Sequence, residues 1–161
     1  MRWTGVAIVL LILAVLAAAG WLLARRATIS ALDPPGRIET FVATHAKRWL
    51  VAKAARAPLP PEPAKTADTV SDGQMYYGSL CAGCHGYDAR TPTPLGLALN
   101  PHAPSLAAPG VQRWSDAELF VIIRDGIRLS GMPAFGGSER SDQIWALMHY
   151  VRSLPTAPPR H

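Results

Sequence analysis

The pattern Cys81-Ala82-Gly83-Cys84-His85 constrains this chain more than any other feature, and it contains both of its cysteines. Two thiols three residues apart, followed at once by an imidazole, suit covalent attachment of haem. The thiols add to two vinyl groups on one porphyrin edge, and the short turn carries the histidine beneath the iron. Three other uses of a Cys pair fit less well. A structural zinc site usually takes four protein ligands, and no second Cys pair exists. A thioredoxin-type redox pair follows a strand in an α/β pattern, and no convincing alternating strand pattern occurs. An exported chain without a haem would tend to join the two as a disulfide. The motif therefore predicts one haem c held through two thioethers by Cys81 and Cys84, with His85 as an iron ligand.

Haem attachment of this kind takes place after export, and the N-terminus carries a suitable segment. From Trp3 to Ala24 there is no charged residue, with Arg2 before the run and Arg25-Arg26 after it. As a helix such a run spans about 33 Å, enough to cross a bilayer core. A cleaved signal peptide ending at Ala17-Ala18-Ala19 is the rival, but the run is long for a signal and continues through Trp21-Leu22-Leu23. Lys and Arg concentrate after the run, which favours a cytoplasmic C-terminal side. The haem motif requires the opposite side and overrides that bias.

Charge follows the same division. Residues 1–67 hold nine Lys/Arg and three acids, whereas residues 68–161 hold seven Arg and eight acids. The basic balance belongs to the N-terminal part, so nothing supports nucleic-acid binding. Asp33-Pro34-Pro35-Gly36 punctuates the chain and is expected to stop the first helix. From Arg37 to Arg56 helical periodicity returns, with Ile38, Phe41, Val42, His45, Trp49 and Ala52 on one stripe and Lys47, Arg48, Lys53 and Arg56 mainly off it. Such a basic amphipathic helix suits anionic headgroups, a partner subunit or the haem domain equally. Ala57 to Ala67 reads APLPPEPAKTA, expected to be a semi-rigid spacer with few contacts. The expected organisation is an anchor or uncleaved signal at 1–26, the basic helix and linker at 27–67, a haem domain at 68–155 and a disordered tail at 156–161.

Within the haem domain three helices are legible. The first runs from about Thr69 to Leu80 into the Cys motif. A second starts at the capping box Ser115-Asp116-Ala117-Glu118. A third starts near Ser141 and ends before Pro155. A core of this size would profit from a large apolar cofactor. For the second axial position Met132 is the first candidate, in the Gly/Pro-shaped loop Ser130-Gly131-Met132-Pro133, because a thioether is a soft neutral ligand that raises the haem potential. His102, in a Pro-rich loop, is the rival. Met75 and Met148 read as helix packing and His149 as a surface or interhelical residue, while His45 and His161 lie outside the domain. Trp114 reads as a packing residue before the second helix, with a contact from it and Arg113 to a propionate as the alternative.

Residues 68–155 resemble a small class I cytochrome c domain: an all-α fold of about three main helices with long loops around one haem, here after an N-terminal transmembrane helix. The resemblance lies in Gly73 and Tyr77 leading into the Cys81–Gly86 motif, Pro104-Ser105-Leu106, Gly131-Met132-Pro133 and the last helix from Ile144 to Arg152. It implies that Gly73 and Tyr77 let the first helix cross the last closely, against Leu147 and Tyr150. It implies that the Pro104 carbonyl orients His85, with Pro101 and Pro109 as nearby rivals for that role, and that Leu106 packs on the haem. The stretch from Arg124 to Gly136 further resembles bacterial membrane-anchored mono-haem cytochromes, which often sit beside dehydrogenases, oxidases or denitrification enzymes. The expected function is single-electron transfer by a His/Met-ligated haem, not enzyme catalysis. The location expected is the periplasmic side of the inner membrane, in a single-pass chain serving redox-partner proteins. A haem sensor or peroxidase with an open sixth position is the alternative.

Overall fold

The structure, a computed structural model, describes residues 2–25, 30 and 32–154. The tail expected at 156–161 and His161 lie outside them. Eight helices and no strand make up the regular structure of the described residues. The chain divides into two compact units, Met1–Asp33 and Pro34–His161.

The first unit is helix α1, Arg2–Ala24, whose side chains from Gly5 onward are all exposed. Gly5–Ala24 is long and apolar enough to cross a membrane, a test that a signal sequence near the N-terminus also passes. The helix ends at Ala24, well before the Asp33-Pro34 punctuation expected to stop it.

The second unit is organised by two helices that cross, α3 (Ala67–Leu80) and α8 (Ser141–Ser153). Gly73 lies on α3 where the α8 backbone passes, and Tyr77 stacks on Tyr150 with ring centroids 5.1 Å apart. Thr66 caps α3, its hydroxyl accepting from the Thr69 N–H at 3.1 Å, so the helix begins two residues before the expected Thr69. Helix α7 (Asp116–Asp125) has a reciprocal cap: Ser115 Oγ accepts from the Glu118 N–H, and the Glu118 carboxylate accepts from the Ser115 N–H. Such a cap satisfies two of the donors that a helix start leaves open. From α7, Phe120 meets Trp145 of α8 at 4.2 Å between centroids, and Ile144, Leu147 and Met148 close the core around them. Three short helices sit between these, α4 (Ala82–His85), α5 (Pro94–Ala98) and α6 (Pro109–Gln112), none of which the sequence pattern announced.

Helix α2 (Arg37–Ala54) packs against α7, with Val51 buried and Ala54, Ala55 and Leu59 against the core. The Pro-rich stretch expected to be a spacer with few contacts is instead laid on α8. Trp145 Nε1 donates to the Pro60 carbonyl at 3.2 Å, and His149 Nε2 lies 2.9 Å from Glu62 Oε1. His149 itself is 1% exposed and belongs to the core, with its Nδ1 unpaired. The compact unit of the structure starts at Pro34 and so includes this stretch together with the haem domain. The physical reason is that Trp145 and His149 each carry a polar nitrogen into a buried face of α8, and the backbone and carboxylate of 60–62 supply acceptors for them.

A candidate haem-attachment site

Helix α3 delivers the chain into the Cys motif without a break, and the single turn of α4 carries Ala82 to His85. The Cys84 and His85 N–H groups both donate to the Cys81 carbonyl, at 3.1 and 3.0 Å. Cys81 and Cys84 are free thiols, each half-buried. Three interactions brace this turn from outside it. The buried Tyr77 hydroxyl donates to the Gly86 carbonyl at 2.5 Å. Thr93 donates through its hydroxyl to the Gly83 carbonyl at 2.6 Å and through its N–H to the Cys84 carbonyl at 3.1 Å. Gly96, on α5, is pressed so close that a Cβ there would lie 2.1 Å from the Cys84 carbonyl oxygen. Gly86 turns the chain away at φ +80°, where a Cβ would strike the Thr91 carbonyl. Thr93 and Gly96 are site-shaping residues that the sequence reading did not name; Thr93-Pro94, an N-cap followed by a proline at the first helical position, was the available signal.

His85 Nδ1 lies 2.9 Å from the Pro104 carbonyl, donating to it in the tautomer that leaves Nε2 free to ligate. Burial holds the His85 imidazole below its ordinary 6.5, against an opposing pull from the Pro104 carbonyl, which favours the neutral ligating form. Burial, and then the Cys84 thiol beside it, push the Cys81 thiol up to about 12. A redox-active pair needs a depressed thiol pKa; Cys81 has the reverse. No group of three or more His, Cys, Asp or Glu placed to hold a metal ion occurs among the described residues.

The other residues read as haem contacts come from two further segments. Pro104-Ser105-Leu106 is fixed by the Leu106 N–H donating to the Ala89 carbonyl at 2.9 Å and by Gln112 Nε2 donating to the Leu106 carbonyl at 2.7 Å. Met132 is pinned through its main chain: its N–H donates to Ser130 Oγ, and its carbonyl accepts from the Ile127 N–H. Leu106, Met132 and Cys81 are all half-buried against the same apolar cluster. His102 is exposed, with Nδ1 2.8 Å from the Leu99 carbonyl. Trp114 is half-buried, its ring beneath the Arg48 guanidinium at 5.9 Å and its carbonyl accepting from Arg152, so it serves the α2–α7–α8 junction; Arg113 is exposed.

These residues suit a covalent haem. The donor set offers two unpaired thiols on one turn and an imidazole with its outer nitrogen oriented. Ser105 Oγ, between Pro104 and Leu106, is buried without a hydrogen-bond partner. Leu95 and Leu97, on α5, and Leu129 present large apolar side chains to solvent, Leu129 at 93% exposure.

A family model described as "Cytochrome C oxidase, cbb3-type, subunit III" matches residues 68–151, just over half of the chain. The chain belongs to this cytochrome c family. Family membership makes it a haem-binding electron-transfer protein, with haem c attached at the C-x-x-C-H motif. Among solved structures, the KustC0563 c-type cytochrome is 29% identical, with 52% of this chain and 98% of that one covered and a TM-score of 0.46. The Kuenenia stuttgartiensis reducing HAO-like protein complex Kustc0457/Kustc0458 is 22% identical, with 62% of this cytochrome and 52% of that chain covered at TM-score 0.52, a likeness of fold. Cytochrome CL of the marine methylotroph Methylophaga aminisulfidivorans MPT is 18% identical, with 80% of this chain and 72% of that one covered at TM-score 0.44. No curated protein matches.

Proposed function

We propose that this cytochrome carries single electrons between proteins on the periplasmic side of the inner membrane, through one haem ligated by His85 and Met132. The observation that carries the reading is the 2.9 Å approach of His85 Nδ1 to the Pro104 carbonyl, directly after the two free thiols. Cys81 and Cys84 hold the porphyrin, and the Pro104 carbonyl fixes the imidazole plane and tautomer, making Nε2 a more basic ligand. Met132, on the pinned Ser130–Met132 loop, would supply a thioether as the second iron ligand, and Leu106 would pack against the porphyrin. The bound haem supplies a ferrous/ferric couple. With His85 and Met132 both ligating, the iron would offer no place to a substrate, which supports reading the chain as a carrier rather than an enzyme in its own right. Helix α1 tethers it, as Gly5–Ala24 has the length and composition of a membrane span. Its partners are redox proteins such as a dehydrogenase, an oxidase or a reductase.

The test is spectroscopic. The pyridine-haem spectrum of the purified protein should report one haem with two thioethers per chain, and the reduced form should not bind carbon monoxide. Carbon monoxide binding at the reduced iron would replace the carrier reading with a sensor or peroxidase having an open sixth position.

A further inference from the structure

Helix α2 has two faces, and only one of them is occupied. Val51 is buried, and Ala54 and Ala55 pack against the core of the haem domain. Ile38, Val42, His45 and Trp49 follow one another at helical spacing on the far side, since Trp49 and Val51 are two residues, about 200°, apart. Ile38 is 76% exposed, Phe41 62% and Trp49 64%, so the large residues of the stripe read from the sequence do not pack on the haem domain, and only its last member, Ala52, is half-buried. Five Lys/Arg but only one acid, Glu39, lie between residues 37 and 56. Lys53 arches its ammonium over the Trp49 ring at 5.3 Å, a cation at the polar edge of an aromatic anchor. Helix α2 begins only twelve residues after α1 ends, and residues 25–36 can reach at most ~40 Å even fully extended.

We infer that α2 lies in the interface of an anionic bilayer, with Ile38, Phe41, Val42 and Trp49 in the acyl–headgroup boundary and Arg37, Lys53 and Arg56 against the phosphates. The charge favours this occupant: a net cationic helix with Trp and Phe on its free face matches a negatively charged lipid surface. A tether of this length keeps it there. The haem domain, fastened to the inner face of α2 through Val51, is then held beside the membrane. The inference uses the tethering role proposed for α1 only to explain how α2 is delivered to the surface.

The two ideas separate experimentally. The mass of the holoprotein from its native membrane shows whether residues 1–24 are retained. If they are, the full chain carrying Trp3→Phe and Trp21→Phe is placed in nanodiscs of phosphatidylcholine with phosphatidylglycerol. If they are not, the tether fails and the mature holoprotein is added to vesicles of the same lipids. In either form Trp49 emission, taken as the difference from a Trp49→Phe control, is compared in bilayers with and without bromine on the upper acyl carbons. Brominated lipid should roughly halve that emission, because an interfacial helix buries its apolar face ~5–10 Å into the boundary. Lys53→Gln with Arg56→Gln should weaken the quenching, as should replacing phosphatidylglycerol by phosphatidylcholine. Unchanged Trp49 emission with an intact haem spectrum overturns the inference. So does shielding of Trp49 only when a co-purifying protein is present, which makes a partner subunit the occupant.

Discussion

Gly73 and Ala146 touch backbone to backbone: a Cβ on Gly73 would lie 2.0 Å from the Ala146 carbonyl oxygen and 2.6 Å from its carbon. That contact sets how closely α3 and α8 cross, and α3 leads without a break into the Cys turn. Gly73→Ala has no flexible side chain to push aside, so the helices must separate. Overpacking of this kind costs about 1–3 kcal/mol. Thermal unfolding of the holoprotein, followed by far-UV circular dichroism, should show a lower Tm, with the pyridine-haem spectrum unchanged.

Tyr77→Phe removes one of two donors to the Gly86 carbonyl, which keeps the Ala89 N–H at 3.1 Å. The expected cost is that of one hydrogen bond, about 0.5–1.5 kcal/mol, read from denaturant midpoints at neutral pH.

Burial pushes the Tyr77 phenol above its ordinary 10.0. The unfolded phenol ionises near pH 10 and the folded one higher. The neutral phenol therefore stabilises the fold fully below about pH 10, and that contribution is lost as pH rises from there through the folded value. The wild type should lose stability more steeply than Tyr77→Phe in alkaline titrations. Parallel curves for the two proteins would remove Tyr77 as the cause.

Truncation should distinguish the two possible starts of the haem-bearing unit. An exported form beginning at Pro34 keeps Val51, Leu59, Pro60 and Glu62 on the core. One beginning at Ala67 loses them and strands the Trp145 and His149 nitrogens. Val51 or Leu59 alone would contribute about 1.5–3 kcal/mol if fully buried. The shorter form should still take up haem, because its attachment turn is complete, but with a clearly lower Tm. Equal Tm values would return residues 57–67 to the role of a passive spacer.

Met132→Ala should leave the haem attached, since neither thioether nor His85 depends on it. The midpoint potential should fall on loss of a neutral sulfur ligand. Reduced iron should begin to bind carbon monoxide. His102→Ala should change neither property. The reverse pattern in potentiometry and carbon monoxide titration would make His102 the sixth ligand.

Much of the chemistry was legible because it is local. Cys81, Cys84 and His85 form one turn, and any chain that places them so can present them to one porphyrin edge. The Ser115–Glu118 cap and the apolar run of α1 are likewise written in consecutive residues. The resemblance to class I cytochromes supplied the helix crossing at Gly73, a meeting of residues far apart that no periodicity reveals.

What only the tertiary structure decided concerns partners distant in sequence. The resemblance assigned the Pro104 carbonyl to His85 with Pro101 and Pro109 as nearby rivals, and it is the Pro104 carbonyl that lies at His85. Composition made residues 57–67 a spacer, because prolines stiffen a chain and form no helix. Yet a stiff segment also loses little entropy on docking, and Pro60 and Glu62 meet two buried nitrogens of α8 eighty-five and eighty-seven residues away. The sequence likewise showed one stripe on α2 without saying what it meets. Periodicity records that a face is apolar, whereas its covering depends on where the rest of the chain goes: here Val51 and the alanines took the core, and the stripe through Trp49 was left outside.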